Sequence, residues 1–467
     1  MTKKAILPIS LLALLVSCKQ TDKSQDRFTG APGEVRLLVL DPGHFHAALV
    51  QKTSYPQIDT NVYVYAPYGN DVQEYLDKIN QYNTRKEAPT SWKETVYYGD
   101  DFLKRMLSEK KGNVMIVAGN NRKKTEYIRA ALNAGIHVLA DKPMAITPEG
   151  FDLLKECFKT AHEQGIMLYD IMTERYEITT VLQREYSRIP ELFGSLVSGT
   201  PDHPAIVKES VHHFSKQVSG RHLRRPAWFF DVEQEGEGIV DVTTHLVDLI
   251  QWECFPDQAI DYTREIEILD ANRWSTPITS PQFELVTGQK TFPDYLRKDV
   301  RDGILHVYSN GNILYRIRGI VAKVSVIWNF EAPEGGGDTH YSVMRGEKAN
   351  LVIRQGAEQN YRPTLYIEPA TDNIPDSFKA EVLSATSRLA ATYPGISAVA
   401  EPNGSWRIAI PDRYNVGHEA HFGQVTEKYL DFLKTGVMPE WEVPGMLAKY
   451  YLTTQAFRIA HNKTTTK

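Results

Sequence analysis

The sequence predicts an α/β protein in two parts: a doubly wound parallel sheet, then an α+β domain with a large, mostly antiparallel open sheet. A strand–helix–strand unit predicts the first part, because the apolar runs 114–118 and 136–139 flank a helical run from Thr125 to Ala134. Strands that alternate with helices pair in parallel. Strand-like runs that follow one another without helices predict the second part, and they cover residues 303–308, 312–319, 320–330 and 340–352.

The two parts divide the chain into domains. A dinucleotide-binding domain is predicted for residues 35–172 and a substrate and oligomerisation domain for residues 173–467. Ser309-Asn310-Gly311 is typical of a hairpin turn. The weakly periodic segment 362–413 is predicted to be an insertion, rich in loops. The chain returns to helix at 419–434 and 444–460.

Composition excludes some classes of protein. At 467 residues, the chain is long enough for two substantial cores. The net charge of -5, with both signs interspersed, gives no basic surface for nucleic acid. Cys157 and Cys254 lie in apolar, helix-like segments, so we expect both to be buried free thiols.

The amino terminus is predicted to be an export signal. Lys3 and Lys4 precede the apolar run 5–16, which is too short to span a bilayer. Leu15-Val16-Ser17-Cys18 resembles the lipobox of a bacterial lipoprotein. We therefore expect a signal peptide over 1–18, a lipid on Cys18 and a polar tether over 19–34, with simple cleavage or an uncleaved anchor as alternatives. The protein would then lie in the cell envelope and touch the membrane only through its lipid.

Ala140-Asp141-Lys142-Pro143 closes a predicted parallel strand. Open α/β folds bind ligands at the carboxyl ends of such strands, and Pro143 holds the backbone of Lys142 extended. A lysine there can hydrogen-bond a substrate hydroxyl and lower its pKa. The alternative is a solvated lysine in a turn.

The loop Asp41–His46 follows the first predicted strand, where dinucleotide-binding folds carry three glycines. Only Gly43 remains of these glycines, and the second strand ends in Ala66-Pro67 without an acidic residue. Backbone amides at the following helix could still bind a pyrophosphate, with help from His44 or His46.

Asp241 and His245 are four residues apart in a helix that is predicted to begin near Ile239, so they would share one face. The carboxylate would favour the imidazolium and tune the histidine for proton transfer. The alternative is a surface ion pair with a core histidine. No third and fourth metal ligand has a useful spacing, although His212-His213 is a candidate pair, so no metal is predicted.

Together, these motifs resemble the Gfo/Idh/MocA oxidoreductases, named for glucose–fructose oxidoreductase and inositol dehydrogenase, over residues 35–350 and 415–460. The resemblance rests on segments 127–143, 174–176, 225–231 and 236–248, and on His421-Phe422. The loop after the first strand resembles a secreted subgroup from Bacteroidetes-type bacteria.

The resemblance implies that His245 is a general base, that Lys142 stabilises the alkoxide and that Asp241 orients the substrate or the histidine. It implies cofactor contacts from Gly43, His44, Phe45, His46, Ala118, Gly119, Asn120, Asp141, Lys142, Pro143, Arg175 and Trp228. It implies substrate contacts from Tyr176, His212, His213, Thr244 and His340.

We therefore expect an exported oxidoreductase that holds NAD, or NADP, without releasing it and acts on a hydroxyl of a sugar or glycoside, most plausibly at C3. One alternative is an NAD-dependent glycosidase that oxidises, eliminates and reduces. Another is a sugar-binding lipoprotein without cofactor, suggested by the lost glycines. A homo-oligomer through the open sheet is also expected.

Overall fold

A computed structural model describes residues 28–218 and 221–465. The predicted signal peptide, including Cys18, lies outside the described residues, as does most of the predicted tether. The tether residues that are described pack on the first domain instead of forming a free spacer. The Phe28 ring is buried 5.0 Å from that of His137, and the Glu34 carboxylate accepts the Gly30 amide. Within the described residues, no helix combines the length and apolar character needed to cross a membrane.

The first domain is a six-stranded, entirely parallel sheet, as predicted. The strand order is β3-β2-β1-β4-β5-β6. The strands are β1 (Leu37–Leu40), β2 (Asn61–Ala66), β3 (Lys93–Tyr98), β4 (Val114–Val117), β5 (His137–Asp141) and β6 (Leu168–Ile171). The helices are α1 (His46–Leu49), α2 (Asn70–Thr84), α3 (Phe102–Glu109), α4 (Lys124–Asn133) and α5 (Pro148–Gln164). The strand order reverses between β1 and β4, which is where such folds bind ligands.

The second domain is built on a ten-stranded sheet. Its helices are α6 (Ile178–Ser187), α7 (Pro190–Phe193), α8 (Thr243–Cys254), α9 (Tyr262–Glu265), α10 (Ser280–Thr287), α11 (Phe378–Ala390), α12 (His418–Thr435) and α13 (Glu442–Thr465). Its strands are β7 (Ile206–Ser215), β8 (Gln217–Val218), β9 (Arg221–His222), β10 (Ile266–Ile278), β11 (Val300–Arg301), β12 (Ile304–Ile317), β13 (Ile320–Glu331), β14 (Thr339–Arg345), β15 (Ala349–Arg354), β16 (Thr364–Pro369), β17 (Ser397–Ala400) and β18 (Trp406–Ala409).

The order in the large sheet is β10-β12-β13-β7-β14-β15-β16-β18-β17, with β11 beside β12, while β8 and β9 form a separate ribbon. Only β7 and β13 pair in parallel, and every other described pair in the large sheet is antiparallel. The predicted mostly antiparallel sheet is therefore confirmed. Oligomerisation through it stays a prediction.

The predicted hairpin at 309–311 is wrong, because β12 runs straight through these residues. The Asn310 side chain is used inside the sheet, where it accepts the Trp328 amide at 2.7 Å and donates to the Thr276 hydroxyl at 2.8 Å. Gly311 is needed for close packing, since a Cβ there would lie 2.8 Å from the Ile239 Cβ. The turn from β12 to β13 is instead at Arg318-Gly319, where φ is 50° and 82°.

Three other expectations are corrected. The run 340–352 forms two strands, β14 and β15, rather than one. Segment 362–413 is not loop-rich, because it contains β16, α11, β17 and β18 and extends one edge of the large sheet. Cys157 is a buried free thiol as predicted, whereas the free thiol of Cys254 is only half-buried.

A buried network of five charged residues joins the two domains. Asp170 lies on β6, Arg175 in the turn after it, Asp248 on α8, and Glu442 and Lys449 on α13. The Arg175 guanidinium donates to both Asp248 oxygens at 2.6 and 2.7 Å and to Glu442 at 3.0 Å. The Lys449 ammonium lies 2.7 Å from Asp170 and 3.0 Å from Asp248. Buried charges are tolerated only when they are paired in this way, so α13 is fixed against both domains.

We expect Asp248→Asn to lower the free energy of unfolding by about 3–5 kcal/mol, because it leaves Arg175 and Lys449 under-compensated. Asp270→Asn is the matched control, since the Asp270 side chain is 42% exposed beside Lys463, and surface pairs contribute about 0–1 kcal/mol. Denaturant unfolding measures both variants. Equal losses in the two would contradict the role of the network.

The same variant should change how stability depends on pH. Arg175 and Lys449 overcome the cost of burial and hold the pKa of Asp248 below its usual range. The stabilisation is therefore present above the unfolded-state pKa of about 3.9 and is lost as the pH falls towards the folded-state value. The stability of Asp248→Asn should accordingly fall less steeply than that of the wild type below about pH 4.

Candidate active site

Lys142 and Asp241 form an ion pair between the two domains. Lys142 directly follows β5, and Asp241 lies in the turn before α8. The Lys142 Nζ atom lies 2.5 Å from Asp241 Oδ1, and the two side chains are 12% and 8% exposed. Burial disfavours the ammonium, yet the carboxylates of Asp241 and Asp141 raise the pKa of Lys142 above its usual value. Lys142 is therefore a fixed positive charge at the carboxyl end of the parallel sheet.

His245 lies in the first turn of α8. The Asp241–His245 pair that the sequence predicts is not formed, because Asp241 pairs with Lys142. α8 begins at Thr243 rather than at Ile239, and Asp241 turns towards Lys142. The Nδ1 atom of His245 is buried and has no hydrogen-bond partner among the described residues. Burial, and then Lys142 and His418, hold the pKa of His245 well below its usual value. The expected imidazolium is therefore wrong, and the ring is neutral.

Two further acids, Glu235 and Glu174, have Lys142 of the Lys142–Asp241 pair as a charged neighbour. Burial, and then Asp241, raise the pKa of Glu235 well above its usual value, which favours the protonated carboxyl. Burial, and then Glu177, raise the pKa of Glu174 to about 7. Glu235 and Asp241 line one small cavity of about 20 Å³, together with Trp328. Lys142 is a charged neighbour of both Glu235 and His245, and we call Lys142, Asp241, His245 and Glu235 the centre.

A second buried lysine supports the strand that bears Lys142. The Lys124 ammonium donates to the Asp141 backbone carbonyl at 3.0 Å. Burial lowers the pKa of Lys124 to about 8, in part offset by Asp141 and Glu235. Lys124 therefore fixes the end of β5 and contributes positive charge behind Asp141.

The loop after β1 differs from a phosphate-binding loop in how its amides are used. The Gly43 amide donates to the Asp41 carbonyl at 2.8 Å, and the His44 amide donates to the Ala118 carbonyl at 3.2 Å. The His46 amide donates to the His44 ring at 3.4 Å. Helix α1 is only four residues long, so it offers little of the dipole that usually attracts phosphate.

Trp228 and Asp71 cover the open side of this loop. The Trp228 indole N–H donates to the Asp71 carboxylate at 2.7 Å. A Cβ on Gly43 would lie 3.2 Å from both Asp71 Oδ2 and Trp228 Cζ2. Burial, and then Asp71, raise the pKa of Asp41 to about 6. Two acids therefore stand where the fold usually receives phosphates.

The predicted residues after β4 lie beside this loop. Gly119 is required there, because a Cβ would lie 2.4 Å from the Asp41 carbonyl. The Asn120 amide donates to Gln234 at 2.6 Å, and the Asn121 amide donates to the Glu235 carbonyl at 2.6 Å. These contacts hold the carboxyl end of β4 against the segment that contains Glu235.

His212 and His213 form a wall at the end of β7. Both imidazoles contact the Asp338 carboxylate, at 3.1 and 3.4 Å. The His212 ring stacks on Trp328 with centroids 4.9 Å apart. Since Trp328 lines the small cavity with Asp241, the two histidines lie near the Lys142–Asp241 pair; their contact with substrate stays a prediction.

Four predicted ligand contacts are not brought to the centre. Arg175 is committed to the interdomain network, and the Thr244 hydroxyl donates to the Asp241 carbonyl at 2.5 Å. Tyr176 packs against the first core and has Arg175 and Glu442 as charged neighbours. His340 lies on β14 beside Lys208 and His212, where burial lowers its pKa to about 3.

Several residues in and around the centre have no signal of their own in the sequence. They are Asp71, Lys124, Glu235 and His418, which the fold brings together from separate segments. A larger cavity, of about 610 Å³, is lined by Glu237, Arg273 and Tyr308. It includes neither Lys142 nor His245, so the chemistry of the centre lies elsewhere.

We expect Lys142→Met to raise the pKa of His245, because the ammonium no longer opposes the imidazolium. Long-range ¹H–¹⁵N NMR on histidine-labelled protein would follow the titration. Lys463→Met, which removes an exposed lysine next to Asp270, should leave that titration unchanged. An unchanged or lower pKa for His245 in Lys142→Met would contradict this account of the centre.

The fold and site can be compared with known proteins. Residues 182–461 match a family model described as "Putative oxidoreductase C terminal domain". Residues 66–169 match "Oxidoreductase family, NAD-binding Rossmann fold", the Gfo/Idh/MocA model. The search among curated proteins finds no significant match.

A crystal structure of a "putative oxidoreductase" from Parabacteroides merdae ATCC 43184 is 60% identical, covers 94% of this chain and 100% of its own, and superposes with a TM-score of 0.92. Levoglucosan dehydrogenase, in complex with NADH and levoglucosan, is 13% identical over 92% of this chain and 97% of its own, with a TM-score of 0.58.

The 3-ketoreductase KijD10 from Actinomadura kijaniata, with NADP and TDP-benzene, is 12% identical over 90% of this chain and 95% of its own, with a TM-score of 0.54. At these low identities, the last two structures establish a shared fold alone. On the two family models and the 60% identical structure, the chain belongs to the Gfo/Idh/MocA oxidoreductases.

Proposed function

We propose that the protein transfers hydride between a hydroxyl-bearing carbon of a carbohydrate and a nicotinamide dinucleotide. The main support is electrostatic. A positive Lys142 lies at the carboxyl end of the parallel sheet and helps to keep the nearby His245 neutral. Lys142 stabilises the negative charge that develops on the substrate oxygen. His245 keeps an unprotonated ring nitrogen, which takes the hydroxyl proton.

The donor and acceptor set fits the reacting end of a dinucleotide. His245 Nδ1 is a buried polar atom without a described partner, and Lys142 lies next to Asp141 and Pro143, which we predict to border the nicotinamide ribose. The remainder would lie against the loop from Gly43 to His46 and the Trp228 ring, where the loop amides and the indole N–H already have partners and would have to exchange them for the dinucleotide. When bound, the nicotinamide supplies the acceptor for a pair of electrons.

The levoglucosan dehydrogenase with this fold is named for a sugar derivative, and the other structure is named as a 3-ketoreductase with NADP; the first name supports a carbohydrate substrate here. We propose C3 as the reacting carbon. We further propose export, a lipid on Cys18 and a dinucleotide that stays bound. Little free dinucleotide is present outside the cytoplasm, so the cofactor would have to be recycled in place.

The experiment starts with the purified protein. Mass spectrometry after denaturation should release NAD or NADP, and methyl glucosides should change the nicotinamide absorbance, whereas their 3-deoxy analogues should not. Release of no dinucleotide, together with no binding of added NAD or NADP, would overturn the proposal. That outcome, combined with retained sugar binding, would favour a sugar-binding protein without cofactor.

His245→Ala should reduce turnover by roughly two to four orders of magnitude, the usual loss for a positioned proton acceptor. The bound dinucleotide should be retained, which separates a chemical defect from a binding defect. His203→Ala, at an exposed histidine, is the control. Wild-type turnover in a folded His245→Ala protein would show that this histidine has no catalytic role.

Glu235 supports a second function, the cleavage of glycosides by oxidation, elimination and reduction. Once C3 is a ketone, the proton on C2 is acidic. Its transfer to a base breaks the bond between C1 and the departing oxygen and leaves an unsaturated ketone, to which water adds before C3 is reduced again. Glu235, whose raised pKa favours the protonated carboxyl, would donate a proton to the departing oxygen. Release of nitrophenol from both α- and β-aryl glycosides, reduced in Glu235→Gln, would favour this function. A stable keto product with its glycosidic bond intact would exclude it.

A further inference from the structure

The loop after β1 directs two imidazoles at one buried carboxylate. His46 Nδ1 lies 3.0 Å from Asp141 Oδ2, and His44 Nδ1 lies 3.6 Å from the same oxygen. The three atoms all lie within 4.8 Å of one another. Asp141 is 95 residues from His46 in the chain, so no local spacing in the sequence predicts this cluster.

The hydrogen bonds of the cluster leave electron pairs unsatisfied. The His46 backbone amide donates to His44 Nδ1, which makes that nitrogen an acceptor, since a neutral imidazole has one donor and one acceptor nitrogen. The same nitrogen nevertheless faces the Asp141 carboxylate. The other oxygen of this carboxylate, Oδ1, is buried and has no described partner. His46 Nδ1 donates to Asp141 Oδ2 in one tautomer, but His44 Nδ1 and the Asp141 carboxylate remain two acceptors that face each other, and a cation between them would stabilise both.

The dimensions suit a metal ion. Zinc–nitrogen and zinc–oxygen bonds of about 2.0–2.2 Å place neighbouring ligand atoms about 3.0–3.5 Å apart. The two measured separations to Asp141 Oδ2, 3.0 and 3.6 Å, lie at or close to this range. His46 and Asp141 are nearly buried, whereas the His44 side chain is 23% exposed, which gives an ion a route from solvent.

The two nearby lysines are engaged elsewhere. The Lys124 ammonium donates to the Asp141 backbone carbonyl, and the Lys142 ammonium pairs with Asp241. Neither therefore neutralises the Asp141 carboxylate by direct contact. The His418 ring is also close to the cluster, with its centroid 5.4 Å from that of His46.

We propose that His44, His46 and Asp141 bind one divalent transition-metal ion. Two imidazoles and one carboxylate suit zinc or ferrous iron and leave coordination positions open for water or a ligand. The proposed function places the same three residues beside the dinucleotide, but the metal site can be tested alone because binding of the ion requires neither the dinucleotide nor the sugar.

A second cluster in the same chain provides a matched control. His212 and His213 also face one carboxylate, that of Asp338. The Lys216 ammonium contacts this carboxylate directly, and the His213 backbone amide donates to it at 3.1 Å. Its charge is already compensated, so we expect no metal there.

The test uses protein purified without immobilised metal, stripped with chelator and then titrated with Co²⁺ and Zn²⁺ alone. We expect about one metal ion per chain and the visible absorption of Co²⁺ bound to fewer than six ligands. His44→Gln should weaken binding by more than the roughly 10- to 100-fold that loss of an outer-shell partner costs. His212→Gln should bind like the wild type.

Two results would overturn the proposal: wild-type protein that binds neither ion, or His44→Gln that binds as tightly as the wild type. His44 is partly exposed, so its replacement should leave folding intact, and circular dichroism checks this. Metal content is measured without sugar or dinucleotide, so a failure here would leave the proposed function untouched. Likewise, an inactive protein could still bind the metal.

Discussion

The geometry of this protein depends on the buried charge network of Asp170, Arg175, Asp248, Glu442 and Lys449. These residues come from β6, from the turn after it, and from α8 and α13. Taking so many charges from water is costly unless each finds its partner. The network therefore admits one arrangement of the two domains. Because Lys142 belongs to the first domain and His245 to α8, their separation is set by this arrangement.

The electrostatics of the centre follow from the same constraint. Burial alone would favour the neutral forms of Lys142 and His245. Asp241 reverses that preference for Lys142, and the resulting ammonium then reinforces it for His245. One carboxylate thus fixes the charge of both groups, although it contacts only one of them. A carboxylate hydrogen-bonded to His245 would instead have raised the pKa of the ring and favoured the imidazolium.

The sequence predicts the architecture well because the apolar runs and their intervening helices reveal a parallel sheet directly. It also places Lys142 at the correct edge of this sheet. Prediction from the sequence fails where one local pattern is compatible with two different structures. Asn310-Gly311 is typical of a turn, but here it provides close packing within a strand. Spacing along the chain likewise suggested an Asp241–His245 pair, whereas Asp241 contacts Lys142, 99 residues away.

Helix α13 has a consequence for how the chain acquires its structure. During synthesis, amino-terminal domains generally fold first. Here, however, Asp170 of the first domain pairs with the ammonium of Lys449, which is synthesised near the end of the chain. Until that residue emerges, the parallel sheet holds an acid without its counter-charge. The first domain is therefore not an independent module, and recombination that exchanges it between relatives would have to bring α13 with it.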